Sequence, residues 1–305
     1  MTRIIAPYLC SLLNNRTTFA IPFCVVRPSF GCNRMQACYS RHYACPSINS
    51  PFCFLQNYAV YQDMRYFITL SFDGTDFHGW QVQPGAVTVQ GCLNEALQRL
   101  FGASTSCVGA GRTDAGVHAS KMVAHFDVSQ PIDTAQTAYR LNRILPPTIY
   151  ISDISLVEEG MHARFSATSR TYHYYVTTRK NPFRRLYAMR LPFALDFAEM
   201  NRAAELLLTV TDFTSFAKLG GDQKTNICHL RYARWCEVED GVWRFEICAD
   251  RFLRNMVRAV VGTLMEVGRG RIGAENILDV IAAKDRCAAG ESVPACGLFL
   301  VDVGY

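Results

Sequence analysis

The sequence predicts an α+β fold with two halves, each with a largely antiparallel sheet and helices on one face. Strands and helices alternate with clear turn signals from residue 64 to residue 305. Asp240 and Gly241 stand between two alternating apolar runs, which is typical of a short hairpin and therefore of antiparallel pairing. The length of 305 residues is enough for two domains of roughly 100–200 residues each. This order fits two antiparallel halves better than a parallel, doubly wound sheet.

The first half is predicted to begin with a strand at 65–72. Thr88 is a suitable N-cap for a helix that carries its apolar side chains on one stripe and ends at Gly102. Asp133 caps a second helix, and a pair of prolines prevents that helix from continuing. A short apolar strand at 149–154 follows. Both helices are therefore expected to pack one face on a core.

The second half is predicted to mix strands and helices in a similar way. Residues 171–177 alternate between two faces, as a half-buried strand does. The remaining elements are, in order, a helix capped by Asp196, two strands within 229–248, the longest helix of the chain from about Leu253, a helix from about Ala274 and a strand at 298–303. The long helix is expected to carry arginines on a side of their own: Arg251, Arg254 and Arg258.

Sustained periodicity begins only at Met64, which divides the chain into three expected segments. Residues 1–63 hold six of the 13 cysteines and show no regular pattern. This segment is an organelle transit peptide, a small appended Cys-rich module, or sequence upstream of a natural start at Met64. We favour the third interpretation, so a chain that starts at Met64 is expected to fold and function. Residues 64–165 and 166–305 are the expected N-terminal and C-terminal halves.

The composition excludes a membrane span and points to a local polyanion-binding patch. No apolar stretch approaches the roughly 20 residues that a bilayer requires. The net charge of the chain is +5. Residues 1–63 contain five arginines and one aspartate and therefore contribute +4, so the rest of the chain is close to neutral. The segment 160–195, which we call the basic segment, contains seven basic residues, several aromatic residues and no acid. It is the best candidate for contact with a nucleic acid.

The cysteines do not indicate a metal site. No two of the 13 are spaced as CxxC or CxxxC, and Cys228 with His229 has no partners at the spacing of metal ligands. The seven cysteines after residue 63 mostly occupy apolar positions of predicted elements, where cysteine acts as a small hydrophobic residue. We therefore expect no metal and a reducing compartment.

The densest cluster of polar residues lies at 109–119, where three glycines fall within eight residues. Such backbone turns tightly or lets another molecule approach closely. The cluster is not a dinucleotide-binding fingerprint, because Asp114 stands where the third glycine would be, and the chain has no P-loop. Taken alone, it is explained equally well by a surface turn in which Arg112 and Asp114 form a solvated pair.

Five parts of the chain, in the same order, resemble the TruA-type tRNA pseudouridine synthases. They are FDGTDFHGWQ at 72–81, GRTDAGVHA at 111–119, RFSAT with RTYHY at 164–174, FLRNMVR at 252–258 and PACGLFL at 294–300. The resemblance covers residues 64–305 and none of 1–63. It implies an isomerase that converts uridine to pseudouridine in tRNA, in the anticodon stem-loop at positions 38–40, without a cofactor. It also implies a cytoplasmic homodimer in which both subunits contact one tRNA and a catalytic cleft separates two pseudo-related halves of each subunit.

The resemblance implies roles for four residues. Asp114 matches the catalytic aspartate, and a carboxylate suits the reaction because it can form a covalent adduct and leave again. Arg258 matches the residue that pairs with this carboxylate and favours its ionised form. Tyr172 matches the active-site aromatic residue, which would stack on an extruded base. Arg112 resembles the arginine that helps to displace the target base, and its planar guanidinium could fill the vacated stack.

Other interpretations stay open from the sequence. A non-catalytic RNA-binding protein on the same fold would keep the basic segment and Tyr172 but would not need Asp114. A synthase with a different RNA target is the nearer alternative. Four residues of the matching segments are either ordinary loop residues or parts of the site: Asp73, Asp76, His78 and His118.

Overall fold

Nine strands form one sheet in a computed structural model that describes residues 63–218, 220 and 224–305. The strands are, in chain order, β1 (Met64–Phe72), β2 (Cys107–Gly109), β3 (His118–Val128), β4 (Ile149–Leu156), β5 (Ser169–Thr177), β6 (Met189–Arg190), β7 (Leu230–Glu239), β8 (Val242–Ala249) and β9 (Leu298–Gly304). Their order in the sheet is β4-β1-β3-β9-β5-β8-β7, with β2 paired to β3 and β6 paired to β5. Only the pairs β3 with β9 and β5 with β6 are parallel among these described strands. The α+β class with a mostly antiparallel sheet is confirmed.

Five α-helices accompany the sheet in the same described residues: α1 (Val89–Phe101), α2 (Thr134–Ile144), α3 (Phe197–Leu206), α4 (Met256–Gly268) and α5 (Asn276–Ala282). The N-caps predicted for the first three helices are confirmed. Each capping side chain accepts a hydrogen bond from amides of the first turn: Thr88 from Gly91, Asp133 from Gln136, and Asp196 from Ala198 and Glu199. These amides have no partner inside the helix, so the caps stabilise the helix starts.

α4 differs from its prediction in two respects. It begins at Met256 rather than near Leu253, because Asn255 has a left-handed backbone with a φ of 65° that interrupts regular helix at this point. With 13 residues it is as long as α1, so the prediction that it is the longest helix is wrong. Its burial is as predicted, since Val260, Val261 and the other apolar residues of the helix lie in the core.

Two clusters of buried apolar side chains lie along the sheet. The first includes Ile68 of β1 and Phe126 of β3, and the second includes Tyr174 of β5, Phe245 of β8 and most of α4. Tyr172 is half-buried and packs against both clusters. A single sheet therefore runs through the residues that we expected to form two halves, while the core is divided into two parts.

The predictions for the N-terminal segment concern residues that lie outside the described part, which starts at Asp63. None of the helices in the described residues is long and apolar enough to cross a membrane. Three of the described cysteines are buried, as expected for small hydrophobic residues: Cys107, Cys228 and Cys248.

Candidate active site

The loop between β2 and β3 carries Asp114 and is held by its own backbone. The Val117 amide donates to the Asp114 carbonyl at 3.2 Å, and Gly116 inside this turn has a left-handed φ of 75°. At the start of the loop the Ala110 amide donates to the Val123 carbonyl of β3 at 2.8 Å. The loop is thus fixed to the sheet, and the Asp114 side chain is 27% exposed.

The segment between β1 and α1 packs against this loop. The Trp80 amide donates to the Thr113 carbonyl at 3.2 Å, and the Gly116 amide donates to the Phe77 carbonyl at 3.3 Å. Gly79 has a φ of 88°, and a Cβ at this position would lie 2.4 Å from the Thr113 oxygen. Only glycine satisfies both constraints. Two segments that the sequence singled out separately therefore form one structural unit.

Asp73, His118 and Tyr187 lie together beside the same loop. Nδ1 of His118, which is 1% exposed, accepts from the Gly74 amide at 3.0 Å and lies 3.1 Å from Asp73 Oδ1. The Tyr187 hydroxyl donates to Asp73 Oδ2 at 2.7 Å. Burial acts to raise the pKa of Asp73, but hydrogen bonds from Thr75 and Tyr187 and the nearby imidazole outweigh it and lower this pKa. Burial lowers the pKa of His118, although Asp73 opposes the effect.

Asp114 lies between two arginines. Arg258 Nη1 is 3.5 Å from Asp114 Oδ2, and Arg254 Nε is 3.8 Å from Asp114 Oδ1. Arg258 is fixed by a second contact, because its Nε donates to the Val293 carbonyl at 2.7 Å. The Arg258 side chain is 21% exposed, whereas that of Arg254 is 62% exposed. One cation therefore belongs to the framework of the site, and the other is open to an anionic ligand.

A cavity of about 570 Å³ opens beside Asp114. Ligand sites typically have volumes of about 300–1,000 Å³. Four of the lining side chains are cationic and one is a carboxylate, so the cavity favours a ligand with negative charge. The lining residues are Asp114, Ala115, Lys218, Arg254, Asn255, Arg258 and Arg286.

Tyr172 of β5 does not line this cavity. Its ring meets the Phe252 ring edge-on, with the centroids 5.1 Å apart. Burial raises the pKa of Tyr172 to about 12, the charge of Asp114 adds to the effect, and Arg170 opposes it. The phenol is protonated at neutral pH.

Among the predicted site residues, the described structure brings Asp114 into contact with Arg258 but not with Arg112. Its side chain is exposed and makes no hydrogen bond or ion pair within the described part of the chain. The solvated pair that Arg112 and Asp114 would form in a simple surface turn is absent from the described structure, since Asp114 pairs with Arg254 and Arg258 instead.

Sequence reasoning missed Arg170 as part of the framework of the site. We had counted it in the basic segment, but its guanidinium donates to four backbone carbonyls: those of Ala110 at 3.1 Å, Arg164 at 2.6 Å, Ala167 at 2.9 Å and Asp250 at 2.8 Å. Ala110 lies in the Asp114 loop and Asp250 directly follows β8, so Arg170 ties the loop to the C-terminal strands. The one sequence signal was its position two residues before Tyr172, on the same face of the strand.

The basic segment is less open than its charge count suggests. Arg179 pairs with Asp240, and Arg184 pairs with Glu239. Within the described residues, five of its basic side chains have no acidic partner: Arg164, Arg170, Lys180, Arg185 and Arg190. A search of the same residues found no group of three or more His, Cys, Asp or Glu side chains that could hold a metal ion.

Comparison with known proteins places this site in a class. A family model described as tRNA pseudouridine synthase matches residues 203–305. Among curated relatives, tRNA pseudouridine synthase A of Bacteroides thetaiotaomicron is 55% identical over 243 residues, which are 79% of this chain and 90% of that protein. The protein of the same name from Parabacteroides distasonis is 55% identical over 79% of this chain and 96% of its own length. That from Bacillus subtilis is 39% identical over 79% of this chain and 99% of its own length.

The family model and the curated relatives together define a protein of the tRNA pseudouridine synthase class. At this identity and coverage, the chain belongs to the tRNA pseudouridine synthase A family. The resemblance that the five sequence segments indicated is confirmed.

Proposed function

We propose that this protein isomerises uridine to pseudouridine in the anticodon stem-loop of tRNA, at positions 38–40, with Asp114 as the nucleophile. The observation that carries the proposal is the position of Asp114, between Arg254 and Arg258 on the wall of a cavity large enough for a nucleotide. Membership of the family supports the reaction. The curated relatives carry the name tRNA pseudouridine synthase A, which supports tRNA as the substrate.

The chemistry needs a nucleophile and a way to hold a base outside its stack. The Asp114 carboxylate attacks the target nucleotide, the N-glycosidic bond breaks, the uracil turns, and the base is rejoined through C5 as the carboxylate leaves, while C5 loses its proton and N1 gains one. Substrate and product are isomers, so the reaction consumes no oxidant, reductant or other co-reactant. Arg258 places a positive charge 3.5 Å from Asp114 Oδ2 and so holds the carboxylate in position at the cavity wall.

The cations of the cavity are suited to the RNA backbone. Arg254 and Lys218 are exposed at the cavity wall, where they can neutralise phosphates next to the extruded nucleotide. Tyr172 stacks on the extruded uracil. Stacking of one base contributes roughly 1–3 kcal/mol, which offsets part of the few kcal/mol that extrusion of the nucleotide costs. Arg112 is exposed beside the nucleophile and is free to enter the vacated stack.

The quaternary arrangement is part of the proposal. We infer a cytoplasmic homodimer that binds one tRNA across both subunits, with a cleft between residues 64–165 and 166–305 of each subunit. The packing of Tyr172 against both core clusters supports a site where the two halves meet. Light scattering of the protein with and without tRNA measures the subunit and tRNA stoichiometry and so tests this part.

The first experiment maps pseudouridine in unmodified tRNA after incubation with the protein, without added cofactor or metal. We expect product in the anticodon arm from the wild type. We expect none from Asp114→Asn, whose tRNA affinity stays within a few-fold because the change removes the nucleophile and keeps the shape of the side chain. Asp76→Asn is the matched control, because Asp76 is an exposed aspartate of the neighbouring segment, and it is expected to retain activity.

Each outcome separates the alternatives. Full activity of Asp114→Asn would refute the assignment of the nucleophile. Product outside the anticodon arm would keep the reaction and change the target. Binding of several tRNAs without any product would favour a non-catalytic RNA-binding protein on this fold.

A further inference from the structure

Phe165 is a large apolar side chain that is 77% exposed. Folded proteins tolerate single exposed apolar residues, so exposure alone indicates nothing. What distinguishes Phe165 is the set of rings and charges around it. The guanidinium of Arg164 lies over its ring at 5.7 Å from the centroid. No acidic residue occurs from 160 to 195.

The Phe165 ring rests on a column of rings that leads into the core. The His162 ring lies 4.4 Å from it, centroid to centroid, with an angle of 34° between the planes. The His125 ring, which is 5% exposed, meets His162 edge-on at 4.6 Å. The outermost ring is thus supported from within, while most of its own surface is open.

The turn that presents Phe165 is rigid. Nδ1 of His162 accepts hydrogen bonds from two amides, Arg164 at 3.0 Å and Phe165 at 3.2 Å. Ser166 closes the turn twice, since its amide donates to the His162 carbonyl at 2.9 Å and its Oγ accepts from the His162 amide at 2.9 Å. An aromatic ring held in this way loses little conformational entropy when a ligand packs against it.

The turn is joined directly to the loop of the proposed nucleophile. One nitrogen of Arg170, Nη2, donates both to the Arg164 carbonyl at 2.6 Å and to the Ala110 carbonyl at 3.1 Å. Ala110 is four residues before Asp114. The turn that presents Phe165 is therefore held by the same side chain as the loop that carries Asp114.

We propose that Phe165 is a stacking platform for an unpaired base of the tRNA that neighbours the target uridine. The proposal rests on the proposed function and adds a binding residue to it. A nucleotide fits these features together. The flat face of its base packs on the open ring, and its phosphate is attracted by Arg164. Because every base has a stacking face, the contact positions the loop of the RNA without selecting a sequence.

The test compares Phe165→Ala with Tyr139→Ala. Tyr139 lies on α2 and is 66% exposed, so both changes remove a large exposed ring at little cost to folding. We expect Phe165→Ala to raise KM for the tRNA, and its Kd measured in the Asp114→Asn background, about 5- to 150-fold, with the loss in KM rather than in kcat. Phe165→Tyr restores the affinity. Tyr139→Ala leaves Kd and KM unchanged.

A second measurement reports the stacking itself. The native tryptophans Trp80 and Trp235 are 2% and 4% exposed, and Trp243 is stacked on Phe197 at 3.7 Å. Phe165→Trp therefore adds an exposed fluorophore, and we expect an anticodon stem-loop to quench it, whereas Tyr139→Trp is not quenched.

A third measurement combines Phe165→Ala with an RNA that lacks the stacked base. We expect this RNA to bind Phe165→Ala no more weakly than the intact RNA does, because the two changes remove the same contact.

The outcomes separate this proposal from the proposed function. If the wild type modifies tRNA but Phe165→Ala binds as tightly as Tyr139→Ala, the platform is refuted and the proposed function stands. If the effect of Phe165→Ala is a change in oligomeric mass instead of tRNA affinity, Phe165 belongs to a contact between subunits and the platform is also refuted. If the wild type neither binds nor modifies tRNA, both proposals fail.

Discussion

Acid is expected to destabilise this protein through His125, the innermost ring of the column that supports Phe165. His125 is 5% exposed, and its Nδ1 accepts a hydrogen bond from the Ala163 amide at 3.2 Å. Burial lowers the pKa of His125 to about 4, and the charges of Arg65 and His162 act in the same direction against the opposing Asp127. Protonation turns Nδ1 into a donor, so the bond from Ala163 is lost when the imidazole becomes charged.

The sign and size of the effect follow from the two pKa values. The unfolded chain binds a proton near the ordinary value of 6.5, and the folded chain does so only near 4. The contribution of neutral His125 is therefore complete above pH 6.5 and is lost as the pH falls toward 4. The whole difference corresponds to about 3 kcal/mol of unfolding free energy, at about 1.36 kcal/mol per pKa unit. Between pH 7 and pH 5 the loss is about 2 kcal/mol.

Urea unfolding at several pH values between 7 and 5 measures this loss. We compare the wild type with His125→Gln, which keeps an acceptor for the Ala163 amide but does not titrate, and with the exposed His78→Gln as a control. The stability of the wild type and of His78→Gln should fall about 2 kcal/mol more than that of His125→Gln over this range. Parallel stability curves for all three proteins would refute the assignment of a buried, neutral His125.

Two further predictions concern the framework of the site. Gly79→Ala places a Cβ 2.4 Å from the Thr113 oxygen and should lower both the unfolding free energy, by about 2 kcal/mol or more, and the activity. Gly85→Ala is also at positive φ but has open space around it, so it should lower the unfolding free energy by only about 1–2 kcal/mol. Thermal unfolding of both variants tests the difference, and equal losses would contradict it. Arg170→Met leaves four carbonyls without their donor and should lower the free energy of unfolding in urea by about 2–4 kcal/mol. The exposed Arg190→Met is the control and should lower it by less than about 1 kcal/mol. A loss as small as that of the control would refute the role of Arg170 in holding the loop to the strands.

Local features of the fold could be predicted from the sequence because their causes are local. The caps at Thr88, Asp133 and Asp196 depend on residues two or three positions away, and the structure forms all three. The order of strands depends on contacts that no local pattern encodes. The parallel pairing of His118 with Phe299 joins residues far apart in the chain, and it is this pairing that merges the expected two sheets into one.

Prediction of the site from the sequence is limited in the same way, because the site depends on contacts between residues that are far apart in the chain. From the residues alone, Arg258 was an ordinary surface or ion-pair arginine, and only the resemblance to a family linked it to Asp114, which is 144 residues away. The role of Arg170 remained hidden, because a clamp on backbone carbonyls needs no particular residue at its partners' positions. Whether Asp73 and His118 were ordinary loop residues or parts of the site was open from the sequence, and no local pattern showed that the two side chains lie 3.1 Å apart.

Counting charges along the sequence also placed the electrostatic surface incompletely. Four of the seven cations of the basic segment are engaged within the fold, two with carbonyls and two with acids: Arg170, Arg185, Arg179 and Arg184. The cavity beside Asp114 draws all of its four cations from elsewhere in the chain, at positions from 218 to 286. Residues 64–305, whose net charge is close to zero, can therefore present a local cationic surface, because folding gathers four cations around one carboxylate at the cavity and engages many of the others within the fold. Salt should accordingly weaken tRNA binding by an amount set by these few side chains and by the basic-segment cations that have no acidic partner, not by the net charge of the chain.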